Sequence, residues 1–353
     1  MRDAWPWSRD IDHDPRRPRI AIVYPAAMQR LAAVSLFVVA FGAACAAGPT
    51  PAPTPRPAPS ATPKPPFRIV GYITDTGITP STEQIAALTH INYAFALPGP
   101  EGALKGVAND WKLKDIVTRG SARGVKTLIS IGGWGTDAAF ERMAENPDYR
   151  ARFVRETRAF VDLYGLDGVD IDWEYPIADP SPNGSAANFS TLMQALSDVL
   201  RPDGKLLTMA VVTGGQNAEG IKDDVLARVD FANIMVYDGG PAEGHAPYAL
   251  AETALAYWEK RGLPASKRVL GVPFYAKPGD VPYARLVAYD DKASSVDSVE
   301  FNGQTVFYNG IPTLQRKVAL AQGRGSGIMF WHLGLDASEG PSLLKAIAEA
   351  ARR

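Results

Sequence analysis

The chain has 353 residues, with 37 Lys and Arg against 38 Asp and Glu. This balance leaves no basic excess to neutralise a phosphate backbone, which argues against a nucleic-acid partner. Apolar residues make up 46% of the chain and exclude a disordered composition. A single cysteine excludes a disulfide framework within the chain and a cysteine-rich zinc site.

The N-terminal region divides into three segments of different composition. Residues 1–27 show no periodicity and are predicted to be a non-native extension upstream of the true start. Residues 28–47 carry an uncharged apolar run after Arg30, which is typical of a secretory signal peptide and predicts export. Residues 48–66 are rich in proline and predict a solvated linker in the polyproline II conformation.

Cys45 gives the signal segment a second interpretation. It follows Gly42, Ala43 and Ala44 and resembles the lipidated cysteine of bacterial lipoproteins, although such signals prefer leucine where Gly42 stands. Membrane attachment through a lipidated Cys45, ordinary cleavage near residues 44–47 and an uncleaved anchor all stay open. The protein is therefore expected to be secreted or held at the cell surface.

From residue 67 to 353, short β-branched or aromatic runs alternate with longer amphipathic stretches, for example 149–163 and 186–200. This alternation is typical of a parallel sheet wrapped by helices. Eight runs are predicted as strands: 68–74, 90–96, 125–131, 168–174, 206–212, 231–237, 268–274 and 327–333. The sequence thus predicts an α/β fold, a (β/α)8 TIM barrel, in one domain that we expect to be monomeric.

A doubly wound open sheet shows the same alternation, so the position of the polar and aromatic residues decides between the two. In a barrel, functional side chains cluster at the C-terminal ends of several strands. Six residues occupy such positions here: Trp134, Glu174, Tyr237, Asp238, Tyr275 and Trp331. No glycine-rich nucleotide motif is present to favour the open sheet.

The insertion between the seventh and eighth predicted strands is small. Apolar residues of 311–321 recur at helical spacing and predict the barrel helix of that unit. The remainder contains one strand-like run, 299–308, in which Asn302-Gly303 predicts a hairpin turn. Such an insertion is too short for a full wall at this end of the barrel.

The segment DGVDIDWE, residues 167–174, carries the strongest chemical signal. Side chains alternate along a strand, so Asp170, Asp172 and Glu174 face one side while the apolar residues between them face the other. Like charges about 7 Å apart in a partly dry interior cannot all ionise, and at least one carboxyl should keep its proton near neutral pH. A general acid requires such a proton. A solvated acidic edge or a Ca²⁺ or Mg²⁺ site is the alternative.

This segment resembles the DxxDxDxE signature of glycoside hydrolase family 18, whose members include chitinases. Four further motifs are similar to those of the family and follow in the same order: SIGGW at 130–134, MVYD at 235–238, GVPFY at 271–275 and GIMFWHL at 327–333. The resemblance runs from about residue 67 to residue 351. Many processive, deep-cleft relatives carry a sizeable insertion between strands seven and eight, so the resemblance implies an open groove and endo-type cleavage for this shorter chain segment.

The resemblance implies retaining, substrate-assisted cleavage of β-1,4 N-acetylglucosamine linkages in chitin or chito-oligosaccharides, without a metal or cofactor. Glu174 would protonate the glycosidic oxygen, and the substrate's own 2-acetamido oxygen would attack the anomeric carbon. Asp172 would turn between Asp170 and Glu174 and accept the acetamide N–H. Tyr237 would donate its hydroxyl to the acetamide oxygen, and Asp238 would assist at the same subsite.

The resemblance also assigns supporting roles. Asp170 would lie deepest, held by Ser130 and Tyr72, and Trp331 would form the floor under the sugar at the cleaved position. The remaining predicted substrate-binding residues are Trp134, Tyr275, Met235 and Phe95. For the aromatic residues among them, core packing is the alternative. Asp167 lies outside the acidic alternation and is expected to be structural.

The histidines give a weaker signal. His90, His245 and His332 have no partner at metal-ligand spacing and are interpreted as ordinary surface or core residues. Of these, only His332, next to Trp331, is expected to reach substrate.

Other functions stay open at this stage. A non-catalytic chitin-binding lectin would typically lack the acid or its neighbours, which this chain keeps. An endo-β-N-acetylglucosaminidase acting on N-glycans shares the same chemistry, and a peptidoglycan-directed enzyme is a third possibility. Trp134 and Trp331 favour chitin, because flat apolar platforms suit a repeating flat polymer.

Overall fold

The structure is a computed structural model, and it describes residues 66–353 except Pro180, Pro182, Asn183 and Pro241. The predictions for residues 1–27 and 28–47, including lipidation of Cys45, and for nearly all of the linker lie outside the described residues. Within the described part of the chain, no helix has the length and apolarity needed to cross a membrane.

Eight parallel strands form a closed barrel, as predicted. They are β1 (Arg68–Thr74), β2 (His90–Pro98), β3 (Lys126–Gly132), β4 (Gly168–Asp172), β5 (Leu206–Val212), β6 (Phe231–Met235), β7 (Arg268–Pro273) and β8 (Gly327–Trp331). Each strand pairs with the next along the chain, and β1 pairs with both β2 and β8, which closes the sheet. This closure excludes the open doubly wound sheet.

Helices cover the outside of the barrel. The α-helices of the described residues are Thr82–Ala86, Asp110–Ser121, Asp137–Glu145, Pro147–Tyr164, Ser185–Leu200, Gln216–Glu219, Asp223–Arg228, Tyr248–Lys260, Tyr283–Tyr289, Ile311–Arg324 and Leu343–Ala350. A larger apolar layer lies between strands and helices, and a smaller cluster that includes Val70, Phe231 and Met329 fills the barrel interior.

The helix Pro147–Tyr164, which precedes β4, shows how local sequence sets its ends. The side chain of Asn146 accepts hydrogen bonds from the backbone N–H groups of Asp148 and Tyr149, and a proline occupies the first helical position. Gly165 ends the helix in the left-handed conformation, with φ 65°. The chain then enters β4 at a fixed position.

The insertion between β7 and β8 is small, as predicted. It contains the short antiparallel pair Tyr275–Ala276 and Val281–Pro282, the helix Tyr283–Tyr289, and a hairpin of Ser298–Phe301 with Gln304–Phe307. Asn302 and Gly303 turn this hairpin with positive φ angles of 51° and 78°, which fits the predicted Asn-Gly turn.

Several predicted strand ends differ from the observed ones by one or two residues. The predicted strands 168–174, 231–237 and 327–333 each lose their last two residues, because the ladder hydrogen bonds end at Asp172, Met235 and Trp331. Glu174 and Tyr237 therefore lie just beyond their strands, on the loops at the C-terminal end of the barrel. There they are free of the ladder and face the open end.

A pair of glycine substitutions tests the packing of β4 against β5. A Cβ atom at Gly168 would lie 2.2 Å from the carbonyl oxygen of Leu206, so Gly168→Ala is expected to destabilise the fold by about 1–3 kcal/mol. At Gly323, in the last turn of the helix Ile311–Arg324, a Cβ atom would meet nothing within 4 Å. Gly323→Ala should be neutral or stabilising by up to about 1 kcal/mol. Urea denaturation measures both, and equal losses would contradict this packing.

Candidate active site

Asp170 lies inside the barrel, with no exposed surface. Its carboxylate accepts hydrogen bonds from four side chains on β1, β3, β5 and β6: Tyr72 (2.7 Å), Ser130 (2.9 Å), Thr208 (2.5 Å) and Asn233 (3.2 Å). Burial raises the pKa of Asp170, and these hydrogen bonds oppose the rise. The expected contacts of Tyr72 and Ser130 with Asp170 are present.

Asp172 lies one step further along the same inward face, and only 4% of its surface is exposed. Its Oδ1 atom has no hydrogen-bond partner among the described residues. Burial raises the pKa of Asp172 well above its usual value, and the negative charges of Glu174 and Asp170 raise it further. An unpartnered buried acceptor is costly, so Oδ1 is available to a ligand that brings an N–H donor.

Glu174 opens onto a pocket at the C-terminal end of the barrel. The pocket is lined by residues that follow or end β4, β5 and β6: Glu174, Tyr175, Val212, Thr213, Met235, Tyr237, Asp238 and Gly239. Burial raises the pKa of Glu174 to about 7; a hydrogen bond with Tyr175 lowers it and the charge of Asp238 raises it. Glu174 can therefore hold a proton near neutral pH and face a ligand.

Trp331 ends β8 as a half-buried ring at the same end of the barrel. Phe95 stacks beside it, with ring centroids 5.5 Å apart and an angle of 21° between the ring planes. The Tyr72 ring meets it edge-on at 5.4 Å. These contacts hold the indole ring in place, so Trp331 presents a fixed apolar surface.

The glycine pair after Ile131 allows the backbone of β3 to pass close to β4. Gly132 and Gly133 have φ angles of 122° and 90°, which favour glycine. A Cβ atom on Gly132 would lie 2.2 Å from the carbonyl oxygen of Asp172, and one on Gly133 would lie 2.8 Å from the Phe95 ring. The SIGGW motif thus positions both the acidic strand and the aromatic floor.

Trp134, predicted to bind substrate, lies two residues beyond the end of β3 and is 78% exposed. It does not line the pocket around Glu174. Met235, another predicted substrate-binding residue, does line that pocket and is buried.

Asp238 and Tyr275 form a second polar group beside Tyr237. The Tyr275 hydroxyl donates to Asp238 Oδ2 at 2.7 Å, and the Tyr237 and Tyr275 rings meet edge-on at 6.2 Å. Burial tends to raise the pKa of Asp238, but hydrogen bonds from His245 and Tyr275 and the charge of Lys277 bring it below its usual value. Tyr275 is buried, and the hydrogen bond from its hydroxyl stabilises the ionised form of Asp238.

Four residues of the site were not identified from the sequence: Tyr175, Thr208, Asn233 and His245. The sequence could have indicated Thr208 and Asn233, because each is a polar residue in the middle of an otherwise apolar strand, on the inward face. Tyr175 is adjacent to Glu174. His245 had no local signal, since it lies in a loop seven residues beyond Asp238.

His332 and Asp167 have structural partners. His332 Nδ1 accepts a hydrogen bond from the Gly334 backbone N–H at 3.1 Å. Asp167 binds Lys126 Nζ at 2.8 Å and the Thr127 backbone N–H, which fits its predicted structural role. Within residues 66–353, apart from the four gaps, no three His, Cys, Asp or Glu side chains form a group that could hold a metal ion.

The chain resembles several curated proteins. Chitinase B of Serratia marcescens is 25% identical over 393 residues, a match that spans 76% of this chain and 79% of that protein. Endochitinase 1 of Metarhizium robertsii is 29% identical over 276 residues, or 63% of this chain and 64% of that protein. The chain spans less than two thirds of the length of several curated relatives, and 11% of probable chitinase 10 of Drosophila melanogaster.

The chain also resembles a solved structure and matches a family profile. The family 18 chitinase from the chitin utilization locus of Flavobacterium johnsoniae superposes with a TM-score of 0.69 at 26% identity, covering 81% of this chain and 94% of that one. The profile of glycosyl hydrolases family 18 matches residues 68–336, a range that contains all eight barrel strands, the acidic segment and the pocket. The chain therefore belongs to glycoside hydrolase family 18.

Proposed function

We propose that this protein is a chitinase-type hydrolase that cleaves β-1,4 linkages between N-acetylglucosamine residues of chitin or chito-oligosaccharides. The observation that carries the proposal is the arrangement of Glu174 and Asp172. One carboxyl group holds a proton near neutral pH at the wall of a pocket, and the other offers an unpartnered acceptor beside it. Together they match a substrate that needs both an acid and an acceptor for an amide N–H.

In the proposed mechanism, Glu174 donates its proton to the glycosidic oxygen as the bond to the anomeric carbon breaks. The acetamide oxygen of the substrate attacks that carbon and forms an oxazolinium-type ring. Asp172 Oδ1 accepts the acetamide N–H, Tyr237 donates its hydroxyl to the acetamide oxygen, and Trp331 supports the sugar ring. Water then opens the oxazolinium ring while Glu174 acts as the base.

We also propose that the enzyme acts outside the cytoplasm. The support for this proposal is the apolar segment 31–47 and the proline-rich segment that follows it. Lipidation of Cys45 stays an alternative to ordinary cleavage of the signal.

The acid is tested by Glu174→Gln, with hydrolysis of an unactivated chito-oligosaccharide as the assay. The amide cannot donate a proton, so turnover should fall by about 10²- to 10⁴-fold while oligosaccharide binding persists. The melting temperature at pH values above the Glu174 pKa should equal or exceed that of the wild type, because the wild type then carries a buried carboxylate. A near wild-type rate would overturn the assignment of the acid. Absence of wild-type turnover would overturn the proposed function.

The pH dependence of kcat/KM tests the environment of the acid. Burial places the Glu174 pKa near 7, and only the protonated form can donate, so kcat/KM should fall as the pH rises through about 7. Tyr175→Phe removes the hydrogen bond that lowers this pKa, so the alkaline limb should move to higher pH. If the pKa of the alkaline limb were the same in Tyr175→Phe as in the wild type, Glu174 would not be the group that this limb reports.

The anomeric configuration of the product tests the nucleophile. Two displacements at the same carbon, first by the acetamide oxygen and then by water, should retain the configuration. NMR spectra of freshly formed product should therefore show the β-anomer first, and a thiazoline mimic of the oxazolinium ring should inhibit. Inversion would exclude the acetamide nucleophile without excluding Glu174 as the acid.

The small insertion supports endo-type, weakly processive cleavage. Besides the short pair of Tyr275–Ala276 with Val281–Pro282, the segment between β7 and the helix Ile311–Arg324 holds the helix Tyr283–Tyr289, a single turn at Ala293–Ser295 and the hairpin of 298–307, too little for a full wall. We expect soluble chito-oligosaccharides to be cleaved at internal linkages and crystalline chitin to be a poor substrate. The product series on a long soluble polymer is the measurement. Disaccharide as the dominant product from the earliest time points would argue for a processive enzyme.

A further inference from the structure

His245 lies directly beside Asp238 and has no exposed surface. Its Nδ1 atom is 3.0 Å from Asp238 Oδ1 and 3.2 Å from the Asp238 backbone nitrogen. Its Nε2 atom is 3.2 Å from the carbonyl oxygen of Tyr275, and the two rings are 4.9 Å apart. We propose that His245 is a positioning residue that fixes the orientation of the Asp238 carboxylate at the acetamide-binding subsite, an inference that rests on the proposed function.

The hydrogen-bond partners define the proton on the ring. A carbonyl oxygen only accepts, so Nε2 carries the proton and donates to Tyr275. A neutral ring then accepts the Asp238 backbone N–H at Nδ1, whereas a charged ring donates from Nδ1 to Asp238 Oδ1. In either state one ring ties the backbone or carboxylate of Asp238 to the strand segment that carries Tyr275.

Two further observations concern the backbone on both sides of the contact between Asp238 and His245. Asp238 has a φ angle of 52°, in the left-handed region that few residues with a side chain adopt. The residue after His245, Ala246, is held through its carbonyl oxygen by Lys317 Nζ at 2.8 Å and Asn309 Nδ2 at 2.8 Å. Both donors are buried. The loop that carries His245 is therefore anchored to the helix Ile311–Arg324.

Without His245, the remaining charged groups would move the Asp238 carboxylate. The titratable and charged groups that face Asp238 are Glu174, Tyr175, Tyr237, His245, Tyr275 and Lys277. Lys277, which pairs with Asp280 Oδ1 at 2.5 Å, has its Nζ 3.8 Å from Asp238 Oδ1. Its charge would draw the Asp238 carboxylate away from the Tyr275 hydroxyl. Because catalysis depends on sub-ångström placement, this movement should reduce kcat more than it raises KM.

Two substitutions of His245 test the roles of its two ring nitrogens separately. An asparagine amide can occupy the place of Nδ1 and reach Asp238, whereas a glutamine amide can occupy the place of Nε2 and reach only the Tyr275 carbonyl. Measured on one chito-oligosaccharide, His245→Gln should lower kcat by up to about 100-fold. His245→Asn should keep most of the activity. The acidic limb of kcat/KM should move to higher pH in His245→Gln, because Asp238 loses a group that lowers its pKa.

Two controls distinguish a role of His245 in positioning Asp238 from the general effect of removing a buried ring. His90 is half-buried at the start of β2, where it contacts Thr89 and Phe231 at the opposite end of the barrel from Glu174, so His90→Gln should change stability without moving the pH profile. In an Asp238→Asn background, His245→Gln should cost no more than about threefold in kcat, since its partner is already altered. Equal losses in His245→Asn and His245→Gln, or a full loss from His245→Gln in that background, would overturn the proposal.

A measurement on the free protein keeps this inference separate from the proposed function. In ¹⁵N NMR spectra of the histidine rings, Nε2 of His245 should be protonated throughout the accessible pH range. The Nδ1 signal should respond to Asp238→Asn, and the Nε2 signal should stay nearly constant. An unprotonated Nε2, or an Nδ1 signal indifferent to Asp238→Asn, would overturn the positioning role whether or not the protein hydrolyses chitin. This test also decides the matter if His245→Gln does not fold.

Discussion

Asp170 accepts four hydrogen bonds in the buried interior of the barrel, and the chemistry of the two carboxyl groups above it depends on that arrangement. The four donors offset the cost of burying one negative charge. Asp172 has no comparable set of hydrogen-bond donors. For Glu174, the hydrogen bond from Tyr175 lowers the pKa, but burial raises it by more. A proton therefore stays among the upper two groups, which is the condition for acid catalysis near neutral pH.

The fold keeps these groups in place through contacts on the opposite side of the strand. Trp173 points away from the pocket, stacks on Phe140 at 5.0 Å and meets Phe189 edge-on at 5.5 Å. Because side chains alternate along a strand, this outward contact supports the inward direction of Asp172 at the end of β4, and it anchors the backbone directly before Glu174. The alternation of acidic and apolar residues makes burial of this strand unfavourable, but it also determines which face of the strand points into the barrel.

The sequence was sufficient to predict the barrel, the inward direction of the acidic segment and the hairpin at Asn302-Gly303, because strand periodicity and turn chemistry are local properties. The strand ends were less well predicted, since they depend on where the ladder hydrogen bonds stop. His245 could not be recognised at all. Its partners are Asp238, seven residues away, and the Tyr275 carbonyl, thirty residues away, and only the closed barrel brings them together.

Burial keeps a proton on Glu174 near neutral pH, and the rest of the catalytic site depends on this proton. A ¹³C NMR titration of the Glu174 side-chain carboxyl group in the free protein measures its pKa, with Glu174→Gln used to assign the signal. We expect a midpoint at about 7. A midpoint near the ordinary glutamate value of 4.5 would contradict it, because Glu174 would then be ionised at the pH where a general acid must hold its proton.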